Sequence, residues 1–146
     1  MHWSTGIILV VDAEDEVLKI LKTALQTTDY VLLQARTGDE ALAVLSRLKT
    51  HIDLTIIDLE LLPNDDGLVI SLLTILGCRK ITKIIVKTSR RDKPFLDQVS
   101  YFGIDAIVLK PVSEEQLIGT VRSILSGLPN VSVGTSCTAA RSGGIA

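Results

Sequence analysis

Residues 7–11 read Ile-Ile-Leu-Val-Val, a run of five apolar side chains that ends at Asp12. Shorter apolar runs follow at residues 30–33, 54–57, 84–86 and 106–109. Runs of this length that are rich in Ile and Val are typical of strands buried on both faces. Segments with apolar residues at helical spacing separate the strands, so strand and helix alternate five times. This alternation predicts an α/β domain in which five helices cover the two faces of a five-stranded, doubly wound parallel sheet.

The pattern assigns residues 1–127 to one domain and residues 128–146 to a C-terminal tail. Gly38 is predicted to open the second helix, and Pro94 suits the first turn of the fourth. Ser113, with Gln116 three residues later, predicts the N-cap of the fifth helix. The tail contains mostly small and polar residues and almost no charge.

The composition excludes several classes of protein. The 146 residues carry a net charge of -2, which gives no basic surplus for nucleic acid, so we expect no nucleic-acid partner. Cys78 and Cys137 are far apart and form no CxxC motif, so neither a disulfide framework nor a zinc site is indicated. The start of the chain lacks the pattern of a signal peptide, and the longest uncharged apolar segment is too short to span a bilayer. We therefore expect a cytoplasmic protein with no membrane partner.

Polar residues follow four of the predicted strands. Asp12, Asp58, Thr88 and the pair Lys110-Pro111 stand where these strands end. Functional groups of parallel α/β sheets gather at the carboxyl edge, and a strand order of 2-1-3-4-5 makes these four ends adjacent. Two carboxylates suit Mg²⁺, and a lysine and a hydroxyl suit a phosphoryl group. Each residue alone is equally well explained as ordinary turn chemistry, but four together favour a site.

At these residues the sequence resembles the receiver domain of bacterial two-component response regulators, over about residues 6–127. The matching motifs are Ile8-Leu9-Val10-Val11-Asp12, Asp53-Leu54-Thr55-Ile56-Ile57-Asp58-Leu59, Pro63-Asn64-Asp65-Asp66-Gly67, Val86-Lys87-Thr88-Ser89 and the stretch from Gly103 to Pro111. The resemblance implies the flavodoxin-like sheet with strand order 2-1-3-4-5. It also implies a cytoplasmic signalling protein that is not an enzyme acting on a small molecule.

The family's chemistry assigns a role to each of the four strand-end residues. Asp58 accepts a phosphoryl group from a sensor histidine kinase or a phosphotransfer protein, with help from Mg²⁺. Lys110 pairs with the phosphoryl group, and Thr88 moves to hydrogen-bond one of its oxygens. This movement couples Asp58 to the surface formed by the fourth helix, the fifth strand and the fifth helix. The Lys110-Pro111 peptide bond is typically cis in the family.

Two departures from the family concern the metal site. The implied ligands are Asp12, Asp58 and the backbone carbonyl of Glu60, but the second acid that usually follows the first strand is here Ala13. We therefore expect a weakened Mg²⁺ site unless the side chain of Glu14 or Glu60 replaces the missing carboxylate. One extra residue also separates Asp58 from residue 63. It either displaces the Glu60 carbonyl or widens the loop without effect.

A third departure concerns the output. Ile107 stands where the family usually has an aromatic residue, so the usual rotating-ring readout is missing.

The leading interpretation is a single-domain response regulator that signals through protein–protein contacts, because the 19 residues after Gly127 are too few for an output domain. The alternative is a pseudo-receiver that works as a dimeric interaction module without phosphorylation. A flavin-binding protein is disfavoured because residues 12–16 form an acidic loop instead of a phosphate-binding loop. A phosphatase with an aspartate nucleophile is disfavoured because the Asp-x-Asp-x-Thr motif is absent.

The sequence also predicts a homodimer. Residues 67–77 are predicted to form an uncharged helix that is apolar nearly all round, and the mean hydropathy of the chain, +0.39, is high. A helix packed on one side of a sheet needs a single apolar stripe, so the opposite face is expected to be covered. We expect this helix and the tail to form the interface.

Overall fold

The structure, a computed structural model, describes residues 6–47, 51–61, 82–101 and 103–127. In these residues strands and helices alternate as the sequence predicts, and the predicted third helix lies outside them. The strands are β1 (Ile7–Val11), β2 (Val31–Ala35), β3 (Leu54–Asp58), β4 (Lys83–Thr88) and β5 (Ala106–Leu109). The helices are α1 (Glu16–Ala24), α2 (Gly38–Arg47), α3 (Lys93–Ser100) and α4 (Glu114–Leu125), and a short 3₁₀ turn (Leu59–Leu61) follows β3. Helices α3 and α4 are the fourth and fifth helices of the sequence prediction.

The five strands form one parallel sheet in the order β2-β1-β3-β4-β5, so the predicted flavodoxin-like topology is confirmed. The first strand lies between the second and the third, with Leu9 opposite both Leu33 and Thr55. The chain therefore adds β2 on one side of β1 and β3, β4 and β5 on the other, while all five strands stay parallel. This arrangement brings the carboxyl ends of β1, β3, β4 and β5 side by side.

Apolar side chains of the sheet alternate between two core layers, as the two-residue period of a strand requires. One layer contains Leu9 and Val86 and packs against α2 and α3. The other contains Val10 and Ile85 and packs against α1 and α4. Strands covered on both sides must be apolar on both sides, which explains the continuous runs in the sequence.

The helix ends follow the predicted signals. The N–H of Gln116 donates to Ser113 Oγ at 3.0 Å, so Ser113 caps α4 as expected. Pro94 lies in the first turn of α3, and Gly38 begins α2. The Lys110-Pro111 peptide bond is cis, as the family resemblance implies.

Thr88 ends β4 as predicted, and the strand is longer than the apolar run at 84–86 because Lys87 and Thr88 pair with Asp58 and Leu109. The boundary that shifts is that of β2, which is Val31–Ala35 where the predicted run is 30–33. Three predicted features lie outside the described residues: the loop at 63–67, the apolar helix at 67–77 and the tail at 128–146. None of the helices that the structure describes has the length and apolar character needed to cross a bilayer.

Candidate functional site

The carboxyl edge of the sheet brings the four predicted site residues together. Asp12 directly follows β1, Asp58 ends β3, Thr88 ends β4 and Lys110 directly follows β5. Asp12, Asp58 and Thr88 are buried polar residues. Buried polar groups require partners, so the hydrogen bonds at this edge define what the site can do.

Lys110 pairs directly with the predicted acceptor. Its Nζ lies 2.9 Å from Asp58 Oδ1 and 3.0 Å from Asp58 Oδ2, and Asp58 Oδ1 also accepts the backbone N–H of Glu60 at 2.9 Å. Burial lowers the pKa of Lys110, but its hydrogen bond to Asp58 and the charges of Asp58 and Glu60 outweigh burial and raise that pKa overall. Lys110 is therefore a fixed positive charge beside the Asp58 carboxylate.

The side chain of Glu60 forms a second anionic group in the site. Its Oε2 accepts the Thr88 hydroxyl at 2.7 Å, and its Oε1 accepts the Ser89 N–H at 2.5 Å. Lys110 Nζ lies 3.3 Å from the same Oε1. Burial raises the pKa of Glu60, but the hydrogen bonds from Thr88 and Ser89 and the charge of Lys110 more than offset this effect and lower the pKa overall. An ionised carboxylate thus gathers three donors at the end of β4.

Sequence reasoning named the Glu60 backbone carbonyl as a metal ligand and overlooked this use of the side chain. It also raised Glu14 and Glu60 as replacements for the missing acid at position 13. The Glu14 backbone N–H donates to Asp12 Oδ1 at 3.0 Å, and the Glu60 carboxylate turns to β4. Neither contact supplies a carboxylate between Asp12 and Asp58.

Lys87 is the site residue that the sequence analysis missed. Its Nζ lies 2.7 Å from Asp12 Oδ2 and 3.7 Å from Asp58 Oδ2, and only 12% of its side chain is exposed. The two-residue alternation in β4 puts Lys87 on the same side of the sheet as Ile85, the side to which Val10 and Ile56 also point. Asp12 and Asp58 continue the alternation of Val10 and Ile56, so the three charged groups meet. The sequence did contain a signal for this residue, because a lysine in an otherwise apolar strand that is covered on both faces needs an anionic partner.

The residues present do not fit a Mg²⁺ ion between Asp12 and Asp58. The ion requires oxygen ligands at about 2.0–2.1 Å in near-octahedral order. Here the gap between the two carboxylates holds the Lys87 ammonium, and position 13 offers a methyl group. Within the described ranges, no three Asp, Glu, His or Cys side chains cluster closely enough to hold a metal ion.

Side chains from β2 and the residue after it hold the loop that follows β1. Arg36 donates to the carbonyl of Ala13 at 3.0 Å and to Asp15 Oδ1 at 2.5 Å. Gln34 Nε2 lies 3.1 Å from the same Asp15 oxygen, and these contacts lower the pKa of Asp15. Protein groups therefore fix the shape of this loop.

The output side of the site matches the sequence expectation at Ile107. The residue is buried in the core layer facing α2 and α3, and it has no ring to rotate. Tyr101 lies at the C-terminal end of α3 and is 91% exposed. The described residues therefore show an aliphatic, packed position where the family uses an aromatic one.

Of the three carboxylates at this edge, Asp58 is the one that lies near both ammonium groups, 2.9 Å from Lys110 and 3.7 Å from Lys87. Such a carboxylate is suited to attack an anionic phosphorus centre, because Lys110 and Lys87 offset the repulsion between two negative groups. Thr88 and the Ser89 N–H are placed to donate to an anion beside Asp58, and at present Glu60 is that anion.

Comparisons with known proteins agree with this fold. The family model of the response regulator receiver domain matches residues 8–122. The chain is 31% identical over 123 residues to the transcriptional regulatory protein ResD of Bacillus subtilis (strain 168), and 36% identical over 126 residues to the probable transcriptional regulator ycf27 of Cyanidium caldarium. Each match covers 81% of this chain, 47% of ResD and 45% of the ycf27 protein. The chain thus spans about half the length of these curated relatives.

Solved structures give the same result. A response regulator from Thermotoga maritima matches with a TM-score of 0.66 and 26% identity, covering 84% of this chain and 99% of that one. A signal receiver domain of an HD domain-containing protein from Pseudomonas fluorescens Pf-5 matches with a TM-score of 0.67 and 27% identity, covering 85% of this chain and 97% of that one. With the family model matching most of the chain and the strand order of that fold observed, this protein belongs to the response regulator receiver domain family.

Proposed function

We propose that this receiver domain accepts a phosphoryl group on Asp58 from a sensor histidine kinase or a phosphotransfer protein and signals through protein–protein contacts. The observation that carries the proposal is the contact between Lys110 Nζ and both Asp58 oxygens, at 2.9 and 3.0 Å. Receiver domains are signalling modules that work with histidine kinases or phosphotransfer proteins, and they do not turn over small molecules.

The transfer is a displacement at phosphorus. An Asp58 oxygen forms a bond to phosphorus while the bond from phosphorus to the imidazole nitrogen of the donor breaks. The nitrogen keeps the electron pair and takes up a proton from solvent. Lys110 stays beside the transferred group, and the Thr88 hydroxyl and the Ser89 N–H turn from Glu60 to the new phosphoryl oxygens.

The proposal is tested by labelling with phosphoramidate, a small phosphodonor that needs no kinase. The wild-type protein is expected to gain the mass of one phosphoryl group, and hydroxylamine should remove it as it does other acyl phosphates. Asp58→Asn should not be labelled, whereas the control Asp97→Asn, on the exposed side of α3, should be labelled like the wild type. Labelling of Asp58→Asn, or none of the wild type, would refute the assignment of the acceptor.

A second candidate is the pseudo-receiver that acts as an interaction module without phosphorylation. The Glu60 carboxylate favours it, because it already takes the Thr88 and Ser89 hydrogen bonds that a phosphoryl group would use. This second function is supported, and the first refuted, if phosphoramidate does not label the wild type and the treatment leaves its affinity for its signalling partner unchanged.

The predictions of a homodimer, of a cytoplasmic location, of action without an output domain and of no nucleic-acid partner stay predictions. The dimer interface was assigned to residues 67–77 and 128–146, outside the described residues. Sedimentation of the full chain and of a chain ending at Gly127 tests it. A monomer in both at tens of micromolar would contradict the dimer, and loss of the dimer on truncation would assign the contact to the tail.

A further inference from the structure

We infer that Lys87 takes the place of the metal ion, so that Asp58 in this receiver works without Mg²⁺. The inference deepens the proposed function and rests on it for the transfer step. Its basis is the position of Lys87 Nζ between the two carboxylates that the family uses for the metal, 2.7 Å from Asp12 and 3.7 Å from Asp58.

Burial supports this assignment. The side chains of Lys87, Asp12 and Asp58 are 12%, 4% and 8% exposed. Three charged groups so far from water are stable together only when opposite charges meet at hydrogen-bond distance. The lysine is therefore an integral part of the site, and a metal ion entering the gap would have to displace the Lys87 ammonium from Asp12.

The charge count gives a second argument. Relative to a receiver with an acid at position 13 and an apolar residue at position 87, this chain lacks one negative charge and has one additional positive charge. The fixed charge of the pocket is thereby more positive by two units, which is the charge of Mg²⁺. Lys87 thus faces Asp12 and Asp58, and Lys110 pairs with Asp58 and is shared with the Glu60 carboxylate at 3.3 Å.

The loop after β1 gives a third argument. Its carbonyl at Ala13 accepts a hydrogen bond from Arg36 at 3.0 Å, and Asp12 Oδ1 accepts the Glu14 N–H at 3.0 Å. These contacts give the loop protein partners of its own, so its backbone is held by hydrogen bonds from within the domain.

The first test measures metal binding without any chemistry. Thermal unfolding and calorimetric titration with MgCl₂ are expected to show no binding by the wild type and no rise in Tm. The double variant Ala13→Asp/Lys87→Met, which restores the acid and removes the ammonium, should bind Mg²⁺ and gain Tm in proportion to the logarithm of its concentration. Specific Mg²⁺ binding by the wild type would overturn the inference.

The second test is labelling with phosphoramidate, with Mg²⁺ and with EDTA. The wild type should be labelled at the same rate in both, and Lys87→Met should lose about 10²–10³-fold of that rate in EDTA, the usual effect of removing one preorganised charged donor. Lys83→Met is the matched control, because Lys83 lies in the same strand on the same side but is 58% exposed and remote from Asp58. It should be labelled like the wild type.

The outcomes separate the two proposals. Absence of labelling in both conditions refutes the proposed function, while the Mg²⁺ titration still decides the inference. Labelling of the wild type only with Mg²⁺ supports the proposed function and overturns the inference. If Lys87→Met fails to fold by circular dichroism, the wild-type titration and the wild-type labelling in EDTA decide the matter alone.

Discussion

Replacing Glu60 with Gln should make Asp58 easier to phosphorylate. The Glu60 carboxylate now holds the Thr88 hydroxyl at 2.7 Å and the Ser89 N–H at 2.5 Å, the two donors that an incoming phosphoryl group needs. Phosphorylation therefore has to break these contacts before it can reuse the donors. Gln has nearly the same shape but lacks the charge, so it competes less strongly.

The size of the effect follows from the contacts. Hydrogen bonds to charged groups contribute about 1.5–3 kcal/mol each, and neutral ones about 0.5–1.5 kcal/mol. Gln can still accept one of the two bonds, and the Glu60 side chain is 29% exposed, so water offsets part of the loss. We estimate a net loss of about 1–2 kcal/mol, which corresponds to a factor of about 5–30 in an equilibrium. Labelling of Glu60→Gln should rise by a similar factor, while its free energy of unfolding falls by about 1–2 kcal/mol.

The assay is the rate of phosphoramidate labelling at equal folded fraction, together with urea unfolding. Asp105→Asn is the control. Asp105 also accepts a backbone N–H of β4, from Ile84 at 2.8 Å, but it lies at the amino ends of the strands, away from the site. It should lower stability and leave the labelling rate unchanged. If Glu60→Gln is labelled no faster than the wild type although its stability falls, the carboxylate does not compete with the phosphoryl group.

The remaining predictions concern the ion pair, a helix cap and the core. Lys110→Ala should keep the fold, because Asp58 retains the Glu60 N–H and Lys87, but should label at least about 10²-fold more slowly; unchanged labelling would exclude a role for this lysine. Ser113→Ala removes the cap of α4 and should lower the free energy of unfolding by about 1 kcal/mol in urea titrations, without changing the labelling rate. Leu21→Ala, at a fully buried position of α1, should cost about 2–5 kcal/mol, and a smaller loss would mean that the core closes over the cavity.

Much of the fold could be predicted from the sequence because its signals are local. Short apolar runs at 7–11 and 106–109 correspond to β1 and β5 without change, and the Ser113 cap and Pro94 lie where helix starts require them. The strand end at Thr88 was predicted as well, although the apolar run at 84–86 is shorter than β4. Hydrophobic periodicity stops at Val86, but the backbone ladder continues through polar residues whose side chains find partners on neighbouring strands.

Some residues of the candidate site could be predicted from local sequence signals, and others could not. Asp12, Asp58, Thr88 and Lys110 could be placed together because all four follow from strand ends and strand order. The contacts of Lys87 depend on the register between β3 and β4, which sets Asp58 beside Lys87, and registers are not visible in one sequence. The hydrogen bonds of Glu60 depend on the 3₁₀ turn after β3, a conformation that short polar and apolar patterns do not specify.

Lys87 and Glu60 together change what phosphorylation has to accomplish in this domain. In the family's mechanism the new charge on the acceptor draws in the Thr88 hydroxyl, and a rotating aromatic ring passes the change on. Here the hydroxyl is already bound to a carboxylate, and Ile107 is aliphatic and packed. Under the proposed function, phosphorylation of Asp58 would therefore exchange one anion for another at Thr88, and the group that would have to leave is the Glu60 side chain. Because Glu60 belongs to the turn formed by Leu59–Leu61, the largest local change is expected in that turn.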